Sequence, residues 1–310
     1  MIYLNKINPN ANLHFSGIGG IGMSGLAEIM HKLGYKVQGT DITSNYITKK
    51  LENNGIKIFY DHKNSDLSKI SFLIKSSAIK DDNYEIQYCI KNGIPIVTRA
   101  ELLATLMSGK VAISISGTHG KTTTTSLVAS LLEKAGLDPT VIIGGIINNK
   151  NTNAYLGLSS FIVVEADESD GTFIKIPSTI AVVTNIDKEH MDFYKSYSNL
   201  KKSFRSFIEN IPFYGFGVLC IDDKVLKELS KKIKTREIIT YSIKNKHADI
   251  FATNIKKLNN GHVFDIRLGS KFGNITIKDI KLNVPGIHNV QNSLAAVAVA
   301  ARLHLNIENL

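Results

Sequence analysis

The chain has 310 residues, 43% hydrophobic and 21% charged, with a formal net charge of +10. That length accommodates about two domains, each able to bury its own core, and that balance belongs to an ordinary globular protein. No apolar run approaches the roughly 20 residues of a membrane span, and the first residues, MIYLNKINPN, lack the apolar core of a signal peptide, so a cytoplasmic protein with no membrane partner is expected. Cys89 and Cys220 stand apart without a CxxC or CxxH neighbour, which argues against a disulfide framework or a zinc site. The lysines are scattered rather than gathered on one arm, so no nucleic-acid partner is expected; part of the charge suits a polyanionic small substrate.

Leu13, His14 and Phe15 form a short apolar strand that runs into a glycine turn in which Gly17, Gly19 and Gly22 fit GxGxxG, with Gly20 between them. A helical segment follows to Leu33 and stops at Gly34. Tyr35–Thr40 then reads as a second strand ending at Asp41. This is the βαβ dinucleotide fingerprint with its acid about 20 residues beyond the last glycine. Physically the motif specifies only a backbone cradle for a diphosphate at a helix N-terminus, which UDP satisfies as well as NAD; glycines that merely pack a helix against a sheet would give the same pattern. Strands are expected at 55–60 and 70–75, with Ser76 and Ser77 just past the second, where open α/β sheets bind ligands and where small hydroxyl residues also cap helices. A helix over 84–92, a strand over 95–98 and a helix over 99–107 close the first domain at residue 108.

The second domain opens on an apolar, β-branched strand from Val111 to Ile115, then Gly117-Thr118-His119-Gly120-Lys121-Thr122-Thr123, then an uninterrupted helix to Gly136. Strand, glycine loop and helix form a phosphate site: backbone N–H groups turn inward, Lys121 supplies a full charge and Thr122 a hydroxyl for magnesium. The general pattern GxxxxGK[ST] asks for a glycine where Ile115 stands, leaving a shorter GTxGKT form. ATP or GTP with Mg2+ is the inference. After a strand at 140–143 and an Asn-rich loop, 148–153, expected to be exposed, the apolar strand 161–164 delivers Glu165-Ala166-Asp167-Glu168-Ser169-Asp170. Such an acidic cluster is usually a solvated turn, but at the end of a strand neighbouring the phosphate loop it is where a magnesium carboxylate sits, and Glu165 is the candidate. The strand 179–184 ends near His190, a second candidate metal ligand. A helix over 197–210, a strand over 217–221 and a helix over 224–232 precede β-like alternation from 238 to 283, expected to be a small antiparallel extension with a turn at Asn259–Gly261. Pro285-Gly286 then opens an alanine-rich helix to about Leu303. Its Asn289 and Asn292, one turn apart, can pair with an adenine edge and His288 can stack on the nucleoside, although Asn at a helix start is also a plain cap.

Taken together, GIGGIGMSG, SSAI, GTHGKTTT, EADESDGTF, NIDKEHMDFY and PGIHNVQN resemble the Mur ligases of peptidoglycan synthesis, from about Asn12 to the end of the chain. The resemblance implies an α/β protein with a Rossmann-like, UDP-sugar-binding N-terminal domain (1–108) and a central P-loop-type ATPase domain (109–310). It also implies a third, amino-acid-binding domain of roughly 100 to 150 residues that is absent here. The implied activity is an ATP-dependent C–N bond-forming ligase in cell-wall biogenesis: the lactyl carboxylate of UDP-N-acetylmuramate is phosphorylated, and the amine of L-alanine attacks the acyl phosphate. Under this resemblance Gly117 to Thr123 hold ATP, with Lys121 catalytic, and His288, Asn289 and Asn292 hold its adenine. Thr122, Glu165 and His190 hold metal, with His190 also positioning the acyl phosphate. Gly17, Gly19, Gly20, Gly22, Asp41, Ser76 and Ser77 hold the UDP-sugar. Ser169 favours the alanine-adding enzyme over the relative that attaches a recycled tripeptide, whose acidic motif tends to read EADEYD. Without a third domain the chain is expected to bind UDP-N-acetylmuramate, and Mg-ATP weakly, with little or no ligation; a non-catalytic UDP-sugar-binding fragment is the alternative.

Overall fold

The computed structural model describes residues 7–147 and 152–306, which divide into two compact units. Unit 1 contains β1 (Asn12–Ser16), α1 (Ile21–Lys32), β2 (Lys36–Thr40), α2 (Tyr46–Asn53), β3 (Lys57–Phe59), β4 (Phe72–Lys75), α3 (Tyr84–Lys91), β5 (Ile96–Thr98) and α4 (Arg99–Met107). These five strands form one sheet in which every pair is parallel, in the order β3-β2-β1-β4-β5. β1 is central, and Leu13 to Ser16 are buried, as expected of a strand covered on both faces. The chain builds outward from β1 to β3 on one side and then returns to place β4 and β5 on the other. The gap between the ends of β1 and β4 is therefore the switch point where such sheets leave a ligand crevice. Local chemistry sets the helix starts: Asn45 with Thr48, and Thr98 with Glu101, form reciprocal capping boxes ahead of α2 and α4.

The chain continues with β6 (Val111–Ser116) and α5 (Lys121–Lys134), which belong to unit 2, and then with β7 (Thr140–Ile147) and β8 (Thr152–Tyr155), an antiparallel pair. The sequence reading places a single boundary after residue 108; unit 1 runs to Lys110 and also takes in Thr140–Ser160, with β8 packed on α1. Residues 148–151 of the Asn-rich loop lie outside the described residues, and its last member corrects the expectation of exposure. Asn153 is buried, its amide donating to the Ile21 carbonyl and, at 3.0 Å, to Ser24 Oγ. A polar side chain is satisfied internally here, which composition could not reveal.

The rest of unit 2 is β9 (Phe161–Glu165), β10 (Ile180–Val183), α6 (Met191–Tyr194), α7 (Tyr197–Glu209), β11 (Phe216–Cys220), α8 (Lys224–Lys232), β12 (Glu237–Ser242), β13 (Ile250–Leu258), β14 (Gly261–Leu268), β15 (Thr276–Leu282) and α9 (Ile287–Arg302). Its strands run β15-β14-β13-β12-β11-β10-β6-β9. β6 and β10 are neighbours in space though distant in sequence, so the loop after β6 stands at the switch point of this sheet. The antiparallel extension is narrower than the alternation from 238 suggests: β12 pairs parallel with both β11 and β13, and only β13, β14 and β15 pair antiparallel. Alternation reports a half-buried strand but not its direction. α7 presents Leu200, Phe204, Phe207 and Ile208 at helical spacing, and Phe173 packs between Phe204 and Phe207 with ring centroids 5.2 and 5.1 Å away. α9 is buried along its alanine-rich length against α5 and the sheet, because small side chains permit close approach. Among the described residues no helix is long and apolar enough to cross a membrane.

Candidate functional site

In unit 2 the β6–α5 loop turns back through glycines. Gly117 has φ +132°, and a Cβ there would run into the Thr184 hydroxyl and lie 3.0 Å from both Thr184 N and Asn185 O. Gly120, at φ +82°, would bring a Cβ to 2.8 Å from Asn292 Oδ1. Both positions therefore demand glycine for conformation and for space. The end of β10 clamps the loop: Thr118 N donates to Asn185 O (3.1 Å), His119 N to Asn185 Oδ1 (2.8 Å) and Asp187 N to Thr118 Oγ1 (2.8 Å), while Thr184 Oγ1 donates to His119 O (2.6 Å). Thr118 and His119 are thus spent on holding the loop's shape, with the His119 imidazole exposed beside Asp187 at 3.5 Å. The N–H groups of Gly120, Lys121, Thr122 and Thr123 have no partner among the described residues. They are the open donors at the positive end of a 14-residue helix, an anion cradle.

Lys121 folds back over this cradle. Its ammonium donates to Gly117 O (2.9 Å), Thr118 O (3.4 Å) and both oxygens of Glu168 (3.0 and 2.9 Å). Glu168 is fully buried; burial pushes its carboxyl above the usual range although Lys121 beside it pulls the other way. The Tyr194 hydroxyl donates to the Glu168 carbonyl. Sequence reasoning missed Glu168: among the acids of 165–170 nothing in the spacing marks the one that turns inward. Thr122 Oγ1 donates to Glu165 Oε2 at 2.9 Å, so the predicted hydroxyl and carboxylate do meet. Two hard oxygen ligands beside a phosphate cradle fit Mg2+, which takes one or two protein ligands and completes its shell with phosphate and water. His190 stands at φ +54° ahead of α6 with Nε2 3.8 Å from Glu168 Oε1. Among the described residues, no three His, Cys, Asp or Glu side chains gather as a metal cluster, so His190, Glu165 and Glu168 do not form one. On α9, Asn289 and Asn292 are both buried, Asn292 Nδ2 donating to Asn289 Oδ1 (3.1 Å) and Asn289 Nδ2 to Pro285 O (2.6 Å), while His288 is exposed.

In unit 1 the glycine turn and Ser76 meet at the switch point, where a Cβ on Gly17 would come 3.1 Å from Ser76 Cβ. Most of the predicted cradle amides are already engaged: Gly17 N donates to Thr40 O (2.8 Å), Gly20 N to Gly17 O (3.3 Å) and Gly19 N to Asp41 Oδ2 (2.8 Å). The amides without a partner among the described residues are those of Ile21 and Gly22, the first two of α1. Gly22 has a second role, because a Cβ there would collide with the guanidinium of Arg99, the first residue of α4. Arg99 is half-buried and has no ion-pair or hydrogen-bond partner among the described residues. A guanidinium beside the positive end of a helix, without a carboxylate, favours an anion between them. The sequence reading treated Arg99 only as a helix residue; its proximity to Gly22 is legible only in the fold. Ser77 is exposed.

Residues 115–300 match the Mur ligase middle domain, and residues 12–111 match the Mur ligase family catalytic domain. The chain belongs to the Mur ligase family. The UDP-N-acetylmuramate--L-alanine ligase of Rickettsia canadensis is 53% identical over 311 residues, covering 99% of this chain and 65% of that protein. This Mur ligase chain thus spans just under two thirds of such a relative. Among solved structures, the UDP-N-acetylmuramate-alanine ligase of Thermotoga maritima superposes with a TM-score of 0.82 at 28% identity, covering 96% of this chain and 66% of that one. The UDP-N-acetylmuramate:L-alanyl-gamma-D-glutamyl-meso-diaminopimelate ligase from Neisseria meningitides gives 0.83 at 26% identity, covering 96% and 95%.

Proposed function

We propose that the chain forms the UDP-sugar-binding and ATP-binding parts of an amide ligase that joins L-alanine to UDP-N-acetylmuramate. The observation that carries this reading is the cradle after β6, where the open amides of Gly120–Thr123, the Lys121 ammonium and the Thr122–Glu165 pair converge. The identity to alanine-adding relatives supports the choice of substrates. ATP with magnesium bound there would supply the phosphoryl group that activates the lactyl carboxylate. Thr122 and Glu165 would hold the metal and His288, Asn289 and Asn292 would face the adenine. The chain's own contribution is charge neutralisation and positioning, since no protein nucleophile is needed. Lys121 is placed to neutralise phosphate oxygens once it leaves Glu168, and His190 is poised beside the same carboxylate to orient the reacting group. In unit 1, Arg99 with the amides of Ile21 and Gly22 would take the diphosphate of the UDP-sugar, with Gly17, Gly19, Gly20 and Ser76 shaping the crevice and Asp41 and Ser77 at its rim.

Isothermal titration tests the binding functions directly: UDP-N-acetylmuramate and Mg-ATP are each expected to bind, and NAD to give no heat. Ligation is tested in a chimera carrying this chain in place of the matching part of the Rickettsia canadensis enzyme. Phosphate release that requires both UDP-N-acetylmuramate and L-alanine supports the proposal. Release with the tripeptide L-alanyl-γ-D-glutamyl-meso-diaminopimelate but not with L-alanine would move the substrate assignment, and NAD binding would overturn the reading of unit 1.

A further inference from the structure

Unit 2 carries another concave site whose charge neither cradle explains. It opens at the carboxyl ends of β11 and β12, has a volume of about 830 Å³, and gathers Lys224 and Lys227 from α8 with Lys244 and Lys246 from the loop after β12. None of these ammonium groups has an ion-pair or hydrogen-bond partner among the described residues. Among the described residues the acids nearby form no ion pair with these lysines, and Asp222 and Asp223 keep their charge on neutral donors. Asp222, in the wall of the pocket, accepts from Ser242 Oγ, from the amides of Ile243 (2.9 Å) and Lys244 (3.3 Å), and from Gln291 Nε2 of α9 (2.7 Å). Asp223 caps α8 through Leu226 N at 2.8 Å and accepts from Ile186 N at 3.1 Å. Glu228 pairs with Lys232 at 3.6 Å, and Asp249 with Lys271 at 3.0 Å.

Four ammonium groups around one concavity that holds a single carboxylate, Asp222, leave an excess of positive charge, which focuses a potential that a polyanion relieves. Lysine ammoniums are point charges that suit phosphate oxygens without demanding a fixed geometry. The pocket is not uniformly polar: the half-buried Phe251 and the buried Ile221 line it, offering an aromatic face on which a base can stack. Its place at the carboxyl edge of parallel strands is where α/β sheets take ligands. β10 separates β11 from β6, so the lysines are not part of the phosphate loop that follows β6. We infer that this pocket binds a nucleoside polyphosphate, its phosphates on the lysines and its base on Phe251, as a site separate from the phosphate loop.

The test uses the 310-residue chain carrying Lys121→Ala, which weakens phosphate binding at the β6–α5 loop, titrated with inorganic tripolyphosphate and with ADP at low and physiological salt. Both are expected to bind in a salt-sensitive way. Replacing Lys224, Lys227, Lys244 and Lys246 together by alanine is expected to weaken both by about tenfold or more. These side chains are exposed and hold no buried partner, so the fold is retained. Phe251→Ala is expected to weaken ADP by about fivefold and to leave tripolyphosphate unchanged, because it removes only the stacking face. Unaltered affinity for both probes in the lysine variant would overturn the proposal. Tighter, lysine-dependent binding of a single-stranded oligonucleotide than of ADP would overturn it too, making the patch a nucleic-acid surface.

Discussion

Lys121 is the residue that every reading of the phosphate loop depends on, yet in the structure its ammonium is bound to a carboxylate. Glu168 holds it bidentately in a site closed by Tyr194, so Lys121 must exchange one anion for another when a nucleotide arrives. Glu168 then acts as a latch that competes with phosphate, and removing its charge has opposite effects on the two states. Glu168→Gln is expected to lower the stability of the ligand-free chain by about 1–3 kcal/mol, since a partly buried cation loses its partner. It is expected to tighten ATP binding severalfold. Denaturant unfolding and calorimetry read the two effects, and weaker ATP binding in the variant would show that Glu168 holds Lys121 in its working position rather than away from it. A second buried carboxylate, Glu85 of α3, fixes the pH response of unit 1. Burial alone would raise its carboxyl, but hydrogen bonds from His14 (2.9 Å), Ser16 (2.5 Å) and Thr40 (2.5 Å) outweigh burial and hold it at about 2. A folded-state value below the unfolded one means the stabilisation is complete above about pH 4.5 and is lost as pH falls towards 2. The loss is on the order of 3 kcal/mol. Unfolding measured between pH 5 and 2 should show this decline, and Glu85→Gln should remove it; an equally steep decline in that variant would place the responsible carboxylate elsewhere.

At the scale of elements, the sequence was most legible where one physical signal determines one structure. The run Val111–Ile115, the glycines and the hydroxyl-rich start of α5 place strand, loop and helix in order, and the same holds for β1, its glycine turn and α1. α4 begins at Arg99, where the helix over 99–107 is expected, and Thr98 with Glu101 caps it. The failures share a cause: local pattern carries no information about partners. β12 alternates like an antiparallel strand, with Ile239 and Tyr241 buried, but it pairs parallel with both β11 and β13. The Asn-rich segment looks like solvent-exposed loop, but Asn153 is buried beside α1. The candidate site divides the same way. Lys121, Thr122 and Glu165 follow from position at strand and helix ends, where the topology aims them at one crevice. Glu168, a few residues away and chemically identical to Glu165, is told apart only by the packing that encloses it. Arg99 is told apart only by the absence of a side chain at Gly22, which lets its guanidinium approach α1.

At the scale of the whole chain, the two cradles are built independently. Each cradle has its own switch point and its own glycine turn, one after β1 and one after β6. The hydrogen bonds that shape the turn after β1 go to Thr40 and Asp41, and the close approaches are to Ser76 and Arg99, all in unit 1. Those that shape the loop after β6 go to Thr184, Asn185, Glu165 and Glu168, all in unit 2. Among the described residues, the hydrogen bonds of the Lys121 ammonium all go to unit 2. Ground-state binding of the UDP-sugar should therefore be blind to that lysine, whereas any chemistry at the phosphate loop should depend on it. Lys121→Ala is expected to leave the calorimetric affinity for UDP-N-acetylmuramate within about twofold of the parent chain while lowering ATP-dependent phosphate release in the chimera by about 10²–10³, the usual effect of deleting one preorganised charge-stabilising donor. Parallel loss of both functions would mean that the lysine organises the sugar site as well, and the division of labour between the units would have to be abandoned.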